Sequence, residues 1–165
     1  MVFVHKFMLY YNKEEVRYME NKTLCFDCDG TFVDLYGVDN WLEYLRSYDP
    51  KPYINAKPLV NLSLFARLLN RAQAKGYKLI IISWLSKNST PEYDRLVSAA
   101  KLAWLKRHLP SVKFDDINII GYGIPKSSYG SGILFDDEFN NRKEWVNNGG
   151  IAYDEKDMMA VLRKL

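Results

Sequence analysis

Short apolar runs alternate with stretches of helical periodicity along most of the chain, and this alternation constrains the fold more than any other feature. There are five such runs: TLCF (23–26), KLIIIS (78–83), INIIGY (117–122), GILF (132–135) and GIAY (150–153). Their apolarity is continuous rather than alternating, which is typical of strands covered on both faces, as in a parallel sheet.

Helical patterns lie between the runs. One places apolar residues at three- and four-residue spacing from Leu62 to Ala72 and stops at Gly76. The next begins with Thr90 as a cap and ends before Pro110, with one predicted apolar face: Tyr93, Leu96, Val97, Ala100 and Trp104. A last stripe follows a capping Asp154: Met158, Val161, Leu162 and Leu165. Strands alternating with helices predict an α/β fold, a single doubly wound (Rossmann-like) parallel sheet of about five strands flanked by helices.

Length and charge fit one ordinary globular domain. The chain has 165 residues and a formal net charge of +3 at pH 7, without a polybasic block, so nucleic-acid binding is neither demanded nor excluded. No apolar stretch approaches the roughly 20 residues of a membrane span, and the N-terminus is a poor signal peptide, so we expect a cytoplasmic protein. Residues 19–165 are predicted to form the domain, and residues 1–18 an extra strand, a mobile arm or an upstream extension.

The two cysteines, Cys25 and Cys28, are spaced as C-x-x-C. A zinc site would need two more ligands, and the two histidines, His5 and His108, are distant in sequence. Residues three apart on a strand point to opposite faces, which disfavours a disulfide. Both cysteines are therefore expected to be free thiols that pack beside the sheet.

Polar residues follow the predicted strands at the points where ligands of such sheets collect. The first strand is followed by Asp27 and Asp29, the second run ends in Ser83, and the fourth is followed by Asp136 and Asp137. Lys126 precedes the fourth strand, in a loop or at a helix start. Four acids at one edge would repel one another strongly, and a hard divalent cation that takes oxygen ligands, such as Mg²⁺, would resolve this.

In this order the residues resemble the four motifs of the haloacid dehalogenase-like (HAD) hydrolases. The segment DCDGT (27–31) resembles their first motif, D-x-D-G-T, and Ser83 their second, a Ser or Thr that closes the next core strand. Lys126 fits the third, a lone lysine, and ILFDD (133–137) fits the acidic fourth. The resemblance runs from about Thr23 to the C-terminus.

The resemblance implies a phosphatase that works through an aspartyl-phosphate. Phosphate monoesters hydrolyse extremely slowly unaided, and attack by a carboxylate divides the reaction into two easier steps. By resemblance, Asp27 is the nucleophile. Asp29 is then the general acid/base, which protonates the leaving alcohol and afterwards activates water. A spacing of two suits this pair, since side chains two apart can face the same way at a strand end.

The resemblance also implies which residues bind the ligands. Those expected to bind the substrate phosphate are Ser83, Lys126 and Thr31. Those expected to hold Mg²⁺ are Asp27 through its carboxylate, Asp29 through its backbone carbonyl, Asp136 directly and Asp137 through water. The metal and the lysine would neutralise the phosphoryl oxygens against which the Asp27 anion must approach.

Residues 34–59 form a small insert between the first motif and the next helix. They hold one amphipathic stretch, Val38, Trp41, Leu42 and Leu45, and then a turn-rich segment. The insert as a whole is too short for an independent cap domain. The resemblance is therefore to a minimally capped member of the family. Several aromatic residues could either stack on a base or pack the insert onto the body: Tyr36, Trp41, Tyr44, Tyr48 and Tyr53. Trp84 is expected either in the core or at the pocket, and Trp41, Trp104 and Trp145 in the core.

The predicted function is that of a Mg²⁺-dependent phosphatase acting on a small phosphorylated metabolite or nucleotide. One alternative is a phosphatase that acts on nucleic-acid ends or another macromolecule, which should show a basic track near the strand ends. The other is a non-enzymatic domain that binds phosphate or a partner, which would be expected to have lost Asp27 or Asp29.

Overall fold

The computed structural model describes residues 22–165. The predictions for residues 1–18 lie outside these residues. The strands are β1 Thr23–Phe26, β2 Val33–Asp34, β3 Lys57–Pro58, β4 Lys78–Trp84, β5 Asp116–Ile120, β6 Ile133–Phe135 and β7 Ile151–Tyr153. The helices are α1 Trp41–Arg46, α2 Lys51–Asn55, α3 Leu62–Ala74, α4 Pro91–His108, α5 Phe139–Asn147 and α6 Glu155–Lys164, with a short 3₁₀ helix at Lys126–Ser128.

Within the described residues, the main sheet has five parallel strands in the order β5-β4-β1-β6-β7. β1 is central, and its Phe26 is in register with Ile81 of β4 and with Phe135 of β6. Strand order reverses at β1, because β4 and β5 extend one side and β6 and β7 the other. The predicted doubly wound α/β fold is confirmed, and the carboxyl end of β1 is the switch point where such sheets bind ligands.

Both faces of the sheet are covered, as the continuous apolar runs predict. Leu24 and Phe26 of β1 pack in the larger core cluster, where the Phe26 and Phe135 rings stack with centroids 5.1 Å apart. Cys25 belongs to a second cluster that includes Trp145, whereas Cys28 belongs to the larger one. The two cysteines are buried and free, as predicted.

The predicted helix ends are confirmed, and the predicted apolar face of α4 is confirmed except at one residue: Tyr93, Val97, Ala100 and Trp104 are buried. Thr90 Oγ1 accepts a hydrogen bond from the backbone N–H of Tyr93 (3.2 Å), which caps α4. Leu96, predicted on the apolar face of α4, is 46% exposed. Lys101, a residue that the apolar pattern passed over, is buried on this helix instead. Helix α5 was not predicted, because its sequence FNNRKEWVN is mostly polar; its buried residues are Asn141 and Trp145.

The insert is closed by a two-residue antiparallel pairing between β2 and β3 and carries α1 and α2. Helix α2 lies within the segment predicted as turns. Three side chains of α4 hold the insert by donating to its backbone carbonyls: Tyr93 to Asp49 (3.0 Å), Trp104 to Ala56 (2.8 Å) and Arg107 to Ile54 (2.8 Å). Among the described residues, no helix is long and apolar enough to cross a membrane.

Candidate active site

The first and fourth motifs meet where β1 and β6 end side by side. Asp27 directly follows β1 and donates its backbone N–H to the carbonyl of Phe135 (2.9 Å). The loop after β1 turns at Gly30, which has a φ of +78°. A Cβ at Gly30 would overlap the Asp137 carboxylate, so only glycine lets the two loops approach this closely. The predicted convergence of these motifs is present.

Lys126 joins the two motifs electrostatically. Its side chain is 1% exposed, and its Nζ lies 2.8 Å from Asp27 Oδ1 and 2.6 Å from Asp136 Oδ2. Burial alone would lower the pKa of Lys126, but the Asp27 and Asp136 carboxylates raise it above its ordinary value. This lysine is therefore a charged member of the buried cluster and not a solvated surface residue.

Three acids of this cluster form a group that fits a metal ion. Asp27, Asp136 and Asp137 each offer a carboxylate oxygen, and these oxygens lie within 4.8 Å of one another. Burial and the neighbouring Asp27 raise the pKa of Asp136 to about 6 and that of Asp137 to about 7. Carboxylates that crowd and resist ionisation in this way are a donor set suited to a hard, oxygen-seeking cation.

Asp29 has a partner that the sequence patterns did not reveal. Lys101 Nζ lies 2.5 Å from Asp29 Oδ2, and it also donates to Ser83 Oγ (2.8 Å) and to the carbonyl of Trp84 (2.7 Å). Burial raises the pKa of Asp29 and the Lys101 charge opposes that rise. One signal was available: a lysine four residues after Val97 and three before Trp104 occupies a core position of the helical repeat.

Three predicted ligand-binding residues instead bond to other protein groups. Ser83 is fully buried against Lys101. Thr31 Oγ1 accepts a hydrogen bond from the backbone N–H of Asp137 (3.2 Å) and donates to its Oδ1 (3.4 Å). Asp136 is fully buried and accepts bonds from Lys126, from Asn141 and from the backbone N–H of Glu138. These contacts position the loops around the acids.

A cavity of about 670 Å³ opens above the acids. Its floor includes Asp27, Asp29, Asp137 and Lys126, whereas Ser83, Thr31 and Asp136 are not among its lining residues. The walls carry aromatic rings from the insert, from the end of β4 and from the loop after β5: Tyr36, Trp41, Tyr48, Tyr53, Trp84 and Tyr122. Trp84 therefore lies at the pocket. Trp104 and Trp145 are core residues as predicted, but Trp41 is half-buried at the cavity wall.

Comparisons with known proteins leave the function to be inferred from this geometry. No family model matches the chain, and no curated protein matches it significantly. Among solved structures, an uncharacterized protein from Corynebacterium glutamicum ATCC 13032 Kitasato is similar at 18% identity with a TM-score of 0.46. That similarity covers 86% of this chain and 90% of the other.

Proposed function

We propose that this protein is a Mg²⁺-dependent phosphatase of the HAD type, which hydrolyses phosphate monoesters through an aspartyl-phosphate on Asp27. One observation carries the proposal: the Asp27, Asp136 and Asp137 carboxylates lie within 4.8 Å of one another, with Lys126 between Asp27 and Asp136. Asp27, Asp137 and Lys126 of this group also line an open cavity. The arrangement places carboxylates and the Lys126 ammonium group together at the position where a carboxylate would attack the phosphate ester.

Charge balance supports a divalent cation at this position. In the described part of the chain, two lysines pair with three of the four motif acids: Lys101 with Asp29, and Lys126 with both Asp27 and Asp136. The fourth, Asp137, forms no salt bridge there and lies beside Asp27 and Asp136. When bound, Mg²⁺ would supply the positive charge that lets a phosphate approach the acids. We assign its carboxylate ligands to Asp27 and Asp137, which line the cavity, together with the backbone carbonyl of Asp29. Asp136, committed to Lys126 and Asn141, would support them.

The protein's own groups account for the remaining requirements. Asp27 directly follows β1, which is hydrogen-bonded to a strand on each side, and lines the cavity, so its carboxylate is placed to attack phosphorus. Lys126, fixed at 2.8 Å from Asp27, would neutralise a phosphoryl oxygen. Asp29 would donate a proton from its carboxyl group to the leaving alcohol oxygen and would then accept a proton from the attacking water. Ser83 then has a positioning role through Lys101, and not the direct phosphate contact that the motif implies.

A phosphatase assay with and without Mg²⁺ tests this proposal. The wild type should release phosphate from a panel of phosphate monoesters in Mg²⁺, and EDTA should abolish the release. Asp27→Asn should be inactive, because an amide does not attack phosphorus. Asp157→Asn is the matched control, since it makes the same change at an exposed position of α6 and should keep full activity. Wild-type turnover in EDTA or in Asp27→Asn would refute the mechanism.

A cytoplasmic location stays a prediction.

A further inference from the structure

We propose that the aromatic rings of the cavity form a base-binding subsite and that the substrate is a nucleoside monophosphate. This inference rests on the proposed function, because it places the ester phosphate on the acids and Lys126. It goes beyond that function by assigning the rest of the cavity to a planar heteroaromatic group. The subsite is defined by Tyr36, Trp41, Tyr48, Trp84 and Tyr122.

One wall of the subsite begins beside the phosphate position. The Trp84 ring centroid lies 5.4 Å from Lys126 Nζ, the same ammonium group that contacts Asp27. Trp84 Nε1 donates to the carbonyl of Ile124 (2.9 Å), which fixes the indole, and the Tyr122 ring lies next to it with centroids 4.8 Å apart. Two aromatic rings, tilted at 49° to each other, therefore extend the site outward from the reacting group, in the direction that a base takes from its 5′-phosphate.

The insert provides the other wall. Tyr36 and Trp41 pack edge to face with centroids 5.0 Å apart, and Tyr48 packs against Tyr93 of α4. Tyr36, Tyr48 and Tyr122 are each about half exposed (48%, 48% and 52%) although they line a concave site. No residue of helix α1 is fully buried, although Leu45 packs against a core cluster of the body. Trp41, Leu42 and Leu45 of the amphipathic stripe line the cavity, whereas Val38 packs against the larger core. The rings of the insert at the cavity are therefore available to a ligand.

Size and charge favour a mononucleotide over other phosphate esters. The cavity volume of about 670 Å³ is within the roughly 300–1,000 Å³ typical of small-molecule sites. A sugar phosphate would leave the aromatic walls uncovered. A nucleic-acid end would need several cations along its backbone, but the cations that line the cavity, apart from Lys126, are Arg46 and Lys87. Lys87 and Asn88 can instead form hydrogen bonds with the polar edge of one base.

Matched substrates isolate the contribution of the base. Nucleoside 5′-monophosphates and ribose 5-phosphate present the same ester to the acids and differ at C1 of the sugar, where one carries a base and the other a hydroxyl group. We expect kcat/KM to be at least tenfold higher for the preferred nucleotide. Tyr122→Ala should lower kcat/KM for that nucleotide by roughly 5- to 150-fold, the range for one base–aromatic stack, and should lower kcat/KM for ribose 5-phosphate by much less. Tyr129→Ala is the control, because Tyr129 is a comparably exposed tyrosine outside the cavity lining and should change neither.

The outcomes separate this inference from the proposed function. Equal turnover of nucleotides and ribose 5-phosphate would overturn the subsite and leave the phosphatase standing. Faster turnover of 5′-phosphorylated oligonucleotides than of any mononucleotide would also overturn it. Titration calorimetry of nucleoside monophosphates into Asp27→Asn gives a second readout. Saturable binding that Tyr122→Ala weakens would support the subsite even if no ester were hydrolysed, and absence of both binding and base preference would refute it.

Discussion

Replacing Lys101 by methionine should destabilise the protein far more than the same change at an exposed lysine of the same helix. Lys101 is 4% exposed, and its ammonium group bonds to Asp29 Oδ2 (2.5 Å), Ser83 Oγ (2.8 Å) and the carbonyl of Trp84 (2.7 Å). Methionine keeps most of the side-chain volume and removes the charge. It therefore leaves a buried carboxylate and two acceptors without their donor.

The size of the effect follows from the burial of the pair. Removing one partner of a buried ion pair costs about 3–5 kcal/mol. Asp29 is 13% exposed and borders the cavity, and it can take up a proton because burial already raises its pKa. Both features place the expected loss of unfolding free energy at the lower end of this range, about 3 kcal/mol. For a chain of this size, such a loss corresponds to a fall in Tm of roughly 6–12 °C.

Urea unfolding followed by far-UV circular dichroism, in EDTA at neutral pH, measures this loss. Lys106→Met is the matched control, because Lys106 is an exposed lysine of the same helix, and its free energy of unfolding should stay within about 0.5 kcal/mol of wild type. The double variant with Asp29→Asn should be at least about 1 kcal/mol more stable than additivity predicts, because the unpaired charge is gone. A loss below about 1 kcal/mol for Lys101→Met would show that Asp29 and Lys101 are solvated and not a buried pair.

Three further predictions concern the loops, the thiols and the metal. Gly30→Ala should weaken Mg²⁺ binding and cost about 1–3 kcal/mol of stability, since its φ is +78° and its Cβ would overlap Asp137; calorimetry and urea unfolding measure the two effects. Burial raises the pKa of Cys25 to about 12 and that of Cys28 further, so iodoacetamide should add no mass to the native protein and should alkylate both cysteines in denaturant. The pKa values of Asp136 and Asp137 are raised from 3.8 to about 6 and about 7, so the metal-free protein loses stability as the pH rises from about 4 to about 7. Mg²⁺ binds the ionised carboxylates, so its increase of Tm should be larger at about pH 8 than at about pH 5, and an equal increase at both would contradict this.

The sheet could be predicted from the sequence because its strands are covered on both faces and therefore are apolar throughout. The five apolar runs match β1 and β4–β7 to within two residues at each end. The meeting of Asp27, Lys126 and Asp136 also followed, since parallel strands bring their carboxyl ends to one edge. Both predictions depend only on backbone topology.

Side-chain partners could not be predicted in the same way. Ser83 stands at its predicted strand end, but spacing does not determine that its hydroxyl accepts from Lys101 and lies outside the cavity. Lys101 itself was missed because an apolar template treats a lysine as solvated. Helix α5 was missed because Asn141 and Trp145 are its buried residues and no apolar repeat marks it. Such features depend on how a helix is rotated against the sheet, which the local pattern leaves open.

The central claim is that Asp27 becomes phosphorylated, and the intact mass of Asp29→Asn after reaction with p-nitrophenyl phosphate tests it most directly. A good leaving group needs little acid assistance, so the first step should proceed while hydrolysis of the intermediate, which needs the missing base, is slowed by roughly 10²–10⁴-fold. We predict a mass increase of one phosphoryl group in Mg²⁺, none in EDTA and none in the Asp27→Asn/Asp29→Asn variant. Phosphorylation of that double variant, or wild-type turnover by Asp29→Asn without any adduct, would contradict the account.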